Sequence, residues 1–576
     1  MLAMSEHHPW FKSYPPGVPT TLEPYPDISL FGMLEASARR MPDKPAIVWY
    51  GKRLSYRQLL TEVERASAAL VSLGVDKGDR VALIMPNCPQ YVIAYYGAAR
   101  IGAVFVGNNP VYTKREMEHQ LRDSDPKVVI VIDLMYADFA DVFAQVGVPN
   151  VVVTRFVDYM PFPKKQLAPA MKLKKLQLAQ GKPWPMVPKG VQVTWWHQLL
   201  RSAGPVPVAT QVDPVRDPAG FIYTGGTTGV SKGAMLSHRN IVANAMQAAS
   251  YLELEEGSEV VMCPLPFFHS FGMAAMNVAV LRAGKIVPIP NPRDLRALIE
   301  EAGKEKPTFF PGVPRMFIAL NESPLTAKVD LRSLKACISG GAPLPTAVAD
   351  RFHEVTGGAT LVEGYGLTET SPVLHANPVH GQRRSGSIGL PVPDTECKIV
   401  SLEDPDKELG PGERGELCVR GPQVMLGYWN RPEETARTII NGWLHTGDVA
   451  VMEEDGYFRI VDRLKEMIIV SGFNVYPTEV EDVLFHHPKV AKAAVIGIPD
   501  PKTGESVKAF VVLKEGESAT ADEILAWCKD PANGLTGYRV PKRIEFRDQL
   551  PETMIGKVLR RVLMEEERQK VQSSTQ

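Results

Sequence analysis

The chain lacks the features that mark several common classes of protein. It has six cysteines in 576 residues and no C-x-x-C pair, so neither a disulfide framework nor a zinc site of closely spaced cysteines is predicted. No apolar run reaches the length of a membrane-spanning helix, and the polar, Pro-rich N-terminal segment contains no signal-peptide stretch. Positive charge is not in excess, because 64 Lys and Arg residues balance 65 Asp and Glu residues, which argues against a nucleic-acid partner. These absences together predict a protein of the reducing cytoplasm.

Short β-branched apolar runs alternate with stretches of helical periodicity through most of the chain. The strand-like runs are residues 80–84, 128–132, 150–153, 221–223, 285–289 and 360–362. Residues 55–73 have the apolar spacing of a helix. Strands that are buried on both faces read as continuous apolar runs, so the pattern predicts an α/β fold with parallel sheets covered by helices. Because one core cannot serve a chain of this length, we predict a large N-terminal domain over residues 1–462 and at least one further domain.

The pattern changes after about residue 462. Thr478 and Glu481 form a capping-box sequence, as do Thr520 and Glu523, and each predicts the start of a helix. Residues 493–498 and 506–513, which lie between the two boxes, read as strands. We therefore predict a small α+β domain over residues 467–576.

A loop of sequence YTGGTTGVSKG, from Tyr223 to Gly233, is the strongest single motif. Glycines let backbone N–H groups converge on an anion, while threonine hydroxyls add donors and a lysine adds positive charge. The residues that supply these features are Thr224, Gly225, Gly226, Thr227, Thr228, Gly229 and Lys232. A helix is predicted to follow from about Ser237, a good N-cap residue. The loop predicts a site for the β- and γ-phosphates of ATP, although a plain tight turn is the simpler interpretation of such a sequence.

The same loop contains a second pattern. Gly229-Val230-Ser231-Lys232-Gly233 matches the G-x-S-x-G sequence of serine hydrolases. That motif places its serine directly at a strand-to-helix turn, whereas Ser231 follows the apolar run by eight residues. We interpret the match as chance; a hydrolase would show ATP-independent esterase activity that Ser231→Ala abolishes.

Further blocks follow the loop in order along the chain. They read EGYGLTET at 363–370, GWLHTGD at 442–448, DRLK at 462–465, VSGFN at 470–474 and PETMIGKVLR at 551–560. This ordered set resembles the adenylate-forming superfamily of acyl-CoA synthetases, luciferases and peptide-synthetase adenylation domains. The resemblance covers about residues 30 to 565. Residues 472–476 and 535–541 resemble most the subgroup of bacterial long-chain fatty acid–CoA ligases.

The resemblance implies a reaction, its cofactors and details of the fold. ATP would activate a fatty acid as an acyl-adenylate with loss of pyrophosphate, and coenzyme A would then accept the acyl group; Mg²⁺ would assist. A β-barrel-like subdomain would belong to the large domain, the small domain would be mobile, and two copies would form a homodimer. Three alternatives stay open, namely a ligase for a medium-chain or aryl acid, an acyl-AMP ligase that loads a carrier protein, and a non-catalytic nucleotide-binding module.

The blocks assign roles in the first step to particular residues. The resemblance implies that Tyr365 stacks on adenine, that Thr368 contacts phosphate, and that Glu369 holds Mg²⁺ together with Thr224. It implies that Asp448 and Arg463 bind the ribose. The residues that would line the adenylate are Gly340, Gly341, Ala342, Gly364 and Gly366. Alternatively, Thr368 and Glu369 could cap a helix, Asp448 could lie in a turn, and residues 339–343 could form a strand-to-helix turn.

Two further residues are assigned to the reacting groups. Lys557 would bridge the substrate carboxylate and the α-phosphate, although a lone lysine is more often a surface residue. His269, in the sequence PFFHSFG, would orient the carboxylate or close the acyl pocket, and a buried structural histidine is the alternative. Some long-chain relatives have a tryptophan in this block, where this chain has Phe268 and Phe271.

The second step needs a different arrangement, because Lys557 has no role in thiol attack. The superfamily rotates its C-terminal domain after adenylation, which implies a hinge over residues 463–466 with Lys465 at its centre. Gly472 and Phe473 would then line the tunnel for the pantetheine arm of coenzyme A.

One segment has an unusual charge. No acidic residue occurs between Asp158 and Asp213, whereas eight Lys or Arg residues fall within 164–201 together with interleaved leucines and tryptophans. Peripheral contact with an anionic membrane surface, on its cytoplasmic face, is one interpretation, since each basic residue near such a surface contributes about 1 kcal/mol. A solvated charged loop is the alternative, because the apolar residues do not share one helical face.

Overall fold

The computed structural model describes residues 8–167, 187, 193–224, 231–530, 535, 537–552 and 558–574. Described residues within Met1–Gly226, Val230–Glu396 and Arg420–Leu444 form one compact unit, and those within Cys397–Val419 and His445–Gln576 form another. The domain boundary at residue 462 and the hinge at 463–466 stay predictions. None of the helices in the described ranges combines the length and the hydropathy that a membrane-spanning segment needs.

The strands of the described residues are numbered in chain order. The first part of the chain contains β1 (Pro45–Trp49), β2 (Lys52–Ser55), β3 (Arg80–Ile84), β4 (Val104–Asn108), β5 (Val128–Ile132), β6 (Asn150–Thr154), β7 (Thr194–Trp195), β8 (Pro218–Thr224) and β9 (Lys232–Ser237). The middle contains β10 (Val260–Cys263), β11 (Lys285–Pro288), β12 (Phe309–Gly312), β13 (Ala336–Ser339), β14 (Thr360–Gly366), β15 (Val373–Ala376) and β16 (Leu390–Pro391). The last part contains β17 (Glu396–Val400), β18 (Glu408–Leu409), β19 (Arg414–Arg420), β20 (Gly427–Tyr428), β21 (Ile439–Ile440), β22 (Trp443–Met452), β23 (Phe458–Arg463), β24 (Ile468–Val470), β25 (Phe473–Val475), β26 (Val490–Asp500), β27 (Gly504–Leu513) and β28 (Arg543–Phe546).

The helices of the described residues are numbered in the same way. The first are α1 (Leu30–Arg40), α2 (Tyr56–Ser72), α3 (Pro89–Arg100), α4 (Lys114–Ser124), α5 (Tyr136–Val146), α6 (Lys164–Leu167), α7 (Trp196–Ser202) and α8 (His238–Tyr251). The others are α9 (Ser270–Leu281), α10 (Leu295–Glu305), α11 (Pro314–Glu322), α12 (Thr346–Thr356), α13 (Pro432–Thr438), α14 (Pro477–Phe485), α15 (Ala521–Lys529) and α16 (Arg560–Ser574).

Two large sheets form the frame of the first unit. One has the strand order β16-β15-β14-β13-β12-β10-β11-β1-β2, and the other has the order β20-β9-β8-β4-β3-β5-β6-β7. The central strands of each sheet pair in parallel. Their side chains are almost wholly buried, as the continuous apolar runs require. The predicted α/β fold class is confirmed.

The second unit contains its own sheet, β25-β24-β27-β26, to which β28 adds in parallel alongside β27. Helices α14 and α15 pack on this sheet over an apolar cluster that includes Val480, Val495, Val511 and Ile524. Strands β17, β18, β19 and β22, with β23, form a further sheet. The long β26–β27 hairpin agrees with the two strands that the sequence predicted there.

Two of the three helix starts predicted from capping residues are confirmed, at Ser237 and Thr520. Ser237 Oγ accepts a hydrogen bond from Asn240 N at 3.1 Å, so α8 begins where it was predicted. Thr520 caps α15 by accepting from Glu523 N at 3.2 Å. The prediction that Thr478 is an N-cap is wrong, because the N-cap of α14 is Tyr476 and the helix begins at Pro477. Proline is favoured at the first helical position, since its fixed φ suits the helix and its missing N–H costs nothing there.

Candidate active site

Two antiparallel strands lie on either side of the predicted phosphate loop. Thr224 ends β8, Lys232 begins β9, and these two residues are paired across the hairpin. The loop residues Gly225, Gly226, Thr227, Thr228 and Gly229 lie outside the described residues. Ser231 precedes a strand and not a helix, so the strand-to-helix turn that a serine hydrolase requires is not formed at this position.

Lys232 is held by acidic and aromatic neighbours at the end of the loop. Its ammonium forms an ion pair with Glu434, and it lies 5.3 Å from the centre of the Tyr428 ring. A cation over an aromatic face is attracted by the ring quadrupole. Lys232 must therefore leave or share Glu434 in order to bind a phosphate.

Tyr428 connects this lysine to the predicted metal ligand. Its phenol donates a hydrogen bond of 2.6 Å to Glu369 Oε1, and the Glu369 carbonyl accepts from Met425 N at 2.8 Å. Burial and the adjacent Glu369 carboxylate hold the pKa of the Tyr428 phenol well above its ordinary value, so it remains a donor. Glu369 Oε2 is the oxygen that this bond does not use. The structure thus brings Lys232 and Glu369 to one place through Tyr428.

Thr368 precedes Glu369 in a short 3₁₀ turn after β14. Its hydroxyl lies 3.3 Å from the hydroxyl of Ser270, the first residue of α9. His269 is the N-cap of the same helix, and its Nδ1 accepts a hydrogen bond from Phe271 N at 3.3 Å. The structure therefore brings together residues that follow β14 and residues at the start of α9.

His269 is neutral at physiological pH in this environment. Burial lowers the pKa of its imidazole to about 4. Because Nδ1 already accepts a hydrogen bond, the proton of the neutral ring is placed on Nε2. His269 can thus donate a hydrogen bond to a carboxylate oxygen, but it cannot supply a full positive charge to an anion.

The predicted adenylate-lining segments lie side by side at one edge of the sheet. Strands β13 and β14 are parallel, with Ser339 opposite Glu363, and each is followed by a turn at its carboxyl end. Gly340, Gly341 and Ala342 form the first turn. Ligands commonly bind in crevices at the carboxyl ends of such strands.

Close packing explains the glycines after β13 and within β14. A Cβ at Gly366 would lie 1.9 Å from the carbonyl oxygen of Pro372, and a Cβ at Gly340 would lie 2.9 Å from the ring of Phe271. The ring of Tyr365, beside Gly364 and Gly366, meets His375 edge-on at 5.8 Å. No larger residue fits at Gly366 without moving the backbone.

A narrow apolar cavity adjoins these turns. It lies between α8, α9 and strands of the β13 sheet, and its volume is about 20 Å³. Small side chains keep it open, with Ala248 on α8 and Ala274 and Ala275 on α9. Phe271 lines the cavity and also contacts Gly340. The cavity thus reaches the turn predicted to line the adenylate.

The predicted ribose-binding pair lies in the second unit. Asp448 on β22 is opposite Arg463 on β23, and Arg463 Nε donates to Asp448 Oδ1 at 3.0 Å. The Asp448 carboxylate is buried. The bond holds this carboxylate in one orientation.

The residues predicted for the second step are exposed in the same unit. Lys465 is exposed, two residues after β23 ends. Gly472 has φ +83°, and the Phe473 side chain is 57% exposed and stacks on Tyr538 at 4.8 Å. Lys557 lies outside the described residues.

Sequence reasoning missed a second set of contacts around the loop. Tyr223 donates to Asp123 Oδ2 at 2.7 Å, and Arg431 donates to Asp123 Oδ1 at 3.1 Å. His119 Nε2 lies 3.0 Å from the carbonyl oxygen of Ser231. Both Asp123 and His119 belong to α4, so one helix holds both ends of the phosphate loop. These partners are about 100 or more residues apart in the sequence, so no local sequence pattern predicts their contacts.

Comparison with known proteins places the chain among enzymes of one family. Residues 34–429 match the AMP-binding enzyme family, and residues 479–557 match the AMP-binding enzyme C-terminal domain. The chain is 43% identical over 568 residues to a long-chain-fatty-acid–CoA ligase of Bacillus subtilis, covering 98% of this chain and 99% of that protein. It is 44% identical to the ligase of the same name from Escherichia coli O157:H7, over 98% of this chain and 99% of that protein. The crystal structure of ATP-bound MatB from Rhodopseudomonas palustris superposes with a TM-score of 0.79 at 30% identity, covering 93% of this chain and 98% of that one.

Proposed function

The chain belongs to the AMP-binding enzyme family, and from this premise we propose that it is an ATP-dependent long-chain fatty acid–CoA ligase. In the first step a carboxylate oxygen of the acid attacks the α-phosphorus of ATP, and the bond to the β-phosphate breaks. Pyrophosphate leaves, and an acyl-adenylate remains. In the second step the thiol of coenzyme A attacks the acyl carbon, loses its proton and displaces AMP.

The observation that carries the proposal is that the apolar cavity adjoins the adenylate-lining turns. Phe271 and Ile338 line the cavity; a Cβ at Gly340, after β13, would lie 2.9 Å from Phe271, and a Cβ at Gly364, in β14, would lie 2.6 Å from Ile338. An alkyl chain in the cavity would therefore end with its carboxylate at the carboxyl edge of β13 and β14. Ligand pockets of this kind are mostly apolar with a few polar groups at one end.

We propose that polar groups of the first unit bind the triphosphate. We assign the β- and γ-phosphates to the loop between Thr224 and Lys232, the adenine to Tyr365, and the α-phosphate to Thr368. Two anions must meet in this reaction, so fixed donors and positive charge lower the barrier by offsetting their repulsion. We propose that Lys557 provides this charge at the bond that forms.

A divalent cation fits beside Glu369. Carboxylate and hydroxyl oxygens suit Mg²⁺, which needs only one or two protein ligands. Glu369 Oε2 is not used by the bond to Tyr428, and we propose that it holds Mg²⁺ with help from the Thr224 hydroxyl. The ion would neutralise phosphate charge when bound.

The function is tested by measuring pyrophosphate release with a panel of acids of graded length, including an aryl acid. We expect release with hexadecanoic acid that depends on ATP and Mg²⁺, and acyl-CoA formation when coenzyme A is added. Release that is strongest with an aryl acid would replace the long-chain assignment. Absence of pyrophosphate with every acid would refute the ligase itself.

Filling the cavity should shorten the acids that the enzyme accepts. Ala275 is buried on α9 and lines the cavity, so Ala275→Trp should exclude the far end of a long chain. Pocket discrimination of this kind is worth about 10- to 200-fold. We expect the ratio of kcat/KM for hexadecanoic acid over octanoic acid to fall at least about 10-fold.

The octanoic acid rate serves as the internal control for folding in this experiment. Ala275→Val should give a smaller shift in the same direction. Equal losses for both acids would indicate that the cavity does not hold the acyl chain.

We propose that the basic segment 164–201 brings the enzyme to anionic membranes on the cytoplasmic side, where fatty acids partition. Most of this segment lies outside the described residues. At its described edge the Phe162 side chain is 81% exposed next to the basic helix α6. Lys164 Nζ donates to the carbonyl of Tyr50 at 2.8 Å, which anchors that edge to the first unit.

Vesicle flotation tests this contact. We expect the protein to float with anionic vesicles at low salt, and to lose binding at high salt or with zwitterionic vesicles. Lys172→Glu, Lys174→Glu and Lys175→Glu combined should abolish flotation. The same change at three exposed lysines elsewhere, Lys502, Lys514 and Lys529, is the matched control. Flotation that persists at high salt and in the variant with all three lysines changed would refute the proposal.

We also propose that the enzyme is a homodimer. The resemblance to its superfamily is what supports this. Light scattering should then give twice the mass of 63.4 kDa of one chain, and a single-chain mass would refute it.

A further inference from the structure

Three metal-ligating side chains converge on neighbouring strands of the second unit. Glu416 and Cys418 lie two residues apart on β19, so they project from the same face of the sheet. His445 lies opposite them on β22, which neighbours β19. The ligand atoms of all three residues fall within 4.8 Å of one another.

The atoms already contact each other at short range. His445 Nδ1 lies 2.8 Å from Glu416 Oε2 and 3.4 Å from Cys418 Sγ. Around a tetrahedral Zn²⁺, with bonds of about 2.0–2.3 Å, ligand atoms are separated by slightly more than such hydrogen bonds. A small outward movement of the side chains would therefore admit an ion.

A supporting bond fixes the carboxylate. Gly447 N donates to Glu416 Oε1 at 2.9 Å, which leaves Oε2 directed at His445. Bonds of this kind orient ligands in metal sites and contribute to affinity. Cys418 is fully buried, so its sulfur is available to the cluster and not to solvent.

We propose that Glu416, Cys418 and His445 form a binding site for a borderline-soft divalent cation, of which Zn²⁺ is the best match. One sulfur, one imidazole nitrogen and one carboxylate oxygen suit Zn²⁺, whereas Mg²⁺ prefers oxygen ligands alone. A water molecule would complete the fourth position. The thiol proton is released on binding, so two anionic ligands neutralise the charge of the ion.

One neighbouring positive charge disfavours cation binding at this site. The Lys398 ammonium is close enough to influence Cys418, and it opposes a bound cation. Cysteine spacing along the chain predicted no zinc site, because the third ligand lies 27 residues beyond Cys418 and is not a cysteine. The site is distinct from the one proposed for Mg²⁺, whose ligands are Glu369 and Thr224.

Cobalt binding tests the proposal on the full chain. The protein is stripped with chelator, kept in excess Mg²⁺, and titrated with Co²⁺, which reports thiolate ligation by an intense charge-transfer absorption. We expect one Co²⁺ per chain with that absorption, and its displacement by Zn²⁺. Zn²⁺ should also raise the melting temperature, since a ligand that binds only the folded state stabilises it.

A matched pair of cysteine variants tests whether Cys418 is the thiol that binds the ion. Cys418→Ser should remove the charge-transfer band and weaken Zn²⁺ binding at least about 10-fold. Cys528→Ser removes another fully buried thiol of the same unit and should leave both unchanged. His445→Gln provides a second test if Cys418→Ser does not fold. A wild-type protein without the band, or a band that survives Cys418→Ser, would overturn the proposal.

Discussion

Replacing Lys557 with alanine is expected to slow formation of the acyl-adenylate by at least about 10²–10³-fold, the scale of losing one transition-state donor. The attacking carboxylate and the α-phosphate are both anions, and the other groups assigned to the site do not bridge them. Lys232 is paired with Glu434, and His269 is neutral. We propose that Lys557 is the cation at the bond-forming atoms. Pyrophosphate release measures this step.

The second half-reaction separates this role from a general defect. Thioester formation from acyl-adenylate that is supplied ready-made should survive Lys557→Ala. Lys514→Ala, an exposed lysine of the same unit, should leave both half-reactions unchanged. Equal loss in both steps would contradict the assignment of Lys557 to adenylation alone.

Removal of the Asp448 carboxylate is expected to lower kcat/KM for ATP at least about 10²-fold. Two ribose hydroxyls would each lose a hydrogen bond to a charged group, and each such bond is worth about 1.5–3 kcal/mol. Asp448 is buried and held by Arg463 at 3.0 Å, so the carboxylate is fixed before the nucleotide arrives. Initial rates with ATP for Asp448→Ala and for the unaltered enzyme measure the effect.

A modified substrate shows whether the loss arises at the ribose. The unaltered enzyme should prefer ATP to 2′-deoxy-ATP, and Asp448→Ala should lose most of that preference. Asp448→Asn keeps the size of the side chain and one acceptor, and it should fall between the two. If Asp448→Ala kept the full preference, the carboxylate would not contact the sugar.

Much of the fold follows from local sequence. Strands β3 and β5 occupy the residues predicted for them, because uninterrupted β-branched runs have few alternatives to a buried strand. Strand β9 was not predicted, since KGAMLS has neither a continuous apolar run nor a clean alternation. The start of α14 was misplaced for a local reason, as Pro477 competes with the Thr478 capping box and prevails.

Candidate site residues could be predicted where they stand in short sequence motifs. Glu369, Tyr365 and Asp448 could be assigned because each stands in an ordered motif. Other contacts around the site could not be predicted, since Tyr428 lies 59 residues from Glu369 and Asp123 lies 308 residues from Arg431. Such contacts depend on which strand ends and loops the folded sheets bring together. A short stretch of sequence does not contain that information.

Glu434 forms an ion pair with Lys232, the lysine that we propose for phosphate binding, so this carboxylate and the nucleotide would compete for the same ammonium group. If Lys232 binds the phosphates as proposed, an incoming polyphosphate must displace the Glu434 carboxylate, and we expect the more highly charged triphosphate to do so more readily than weakly charged anions. Once pyrophosphate has departed, we expect Lys232 to return to Glu434, because AMP lacks the β- and γ-phosphates assigned to the loop. We therefore expect Lys232 to favour both the binding of ATP and the release of AMP.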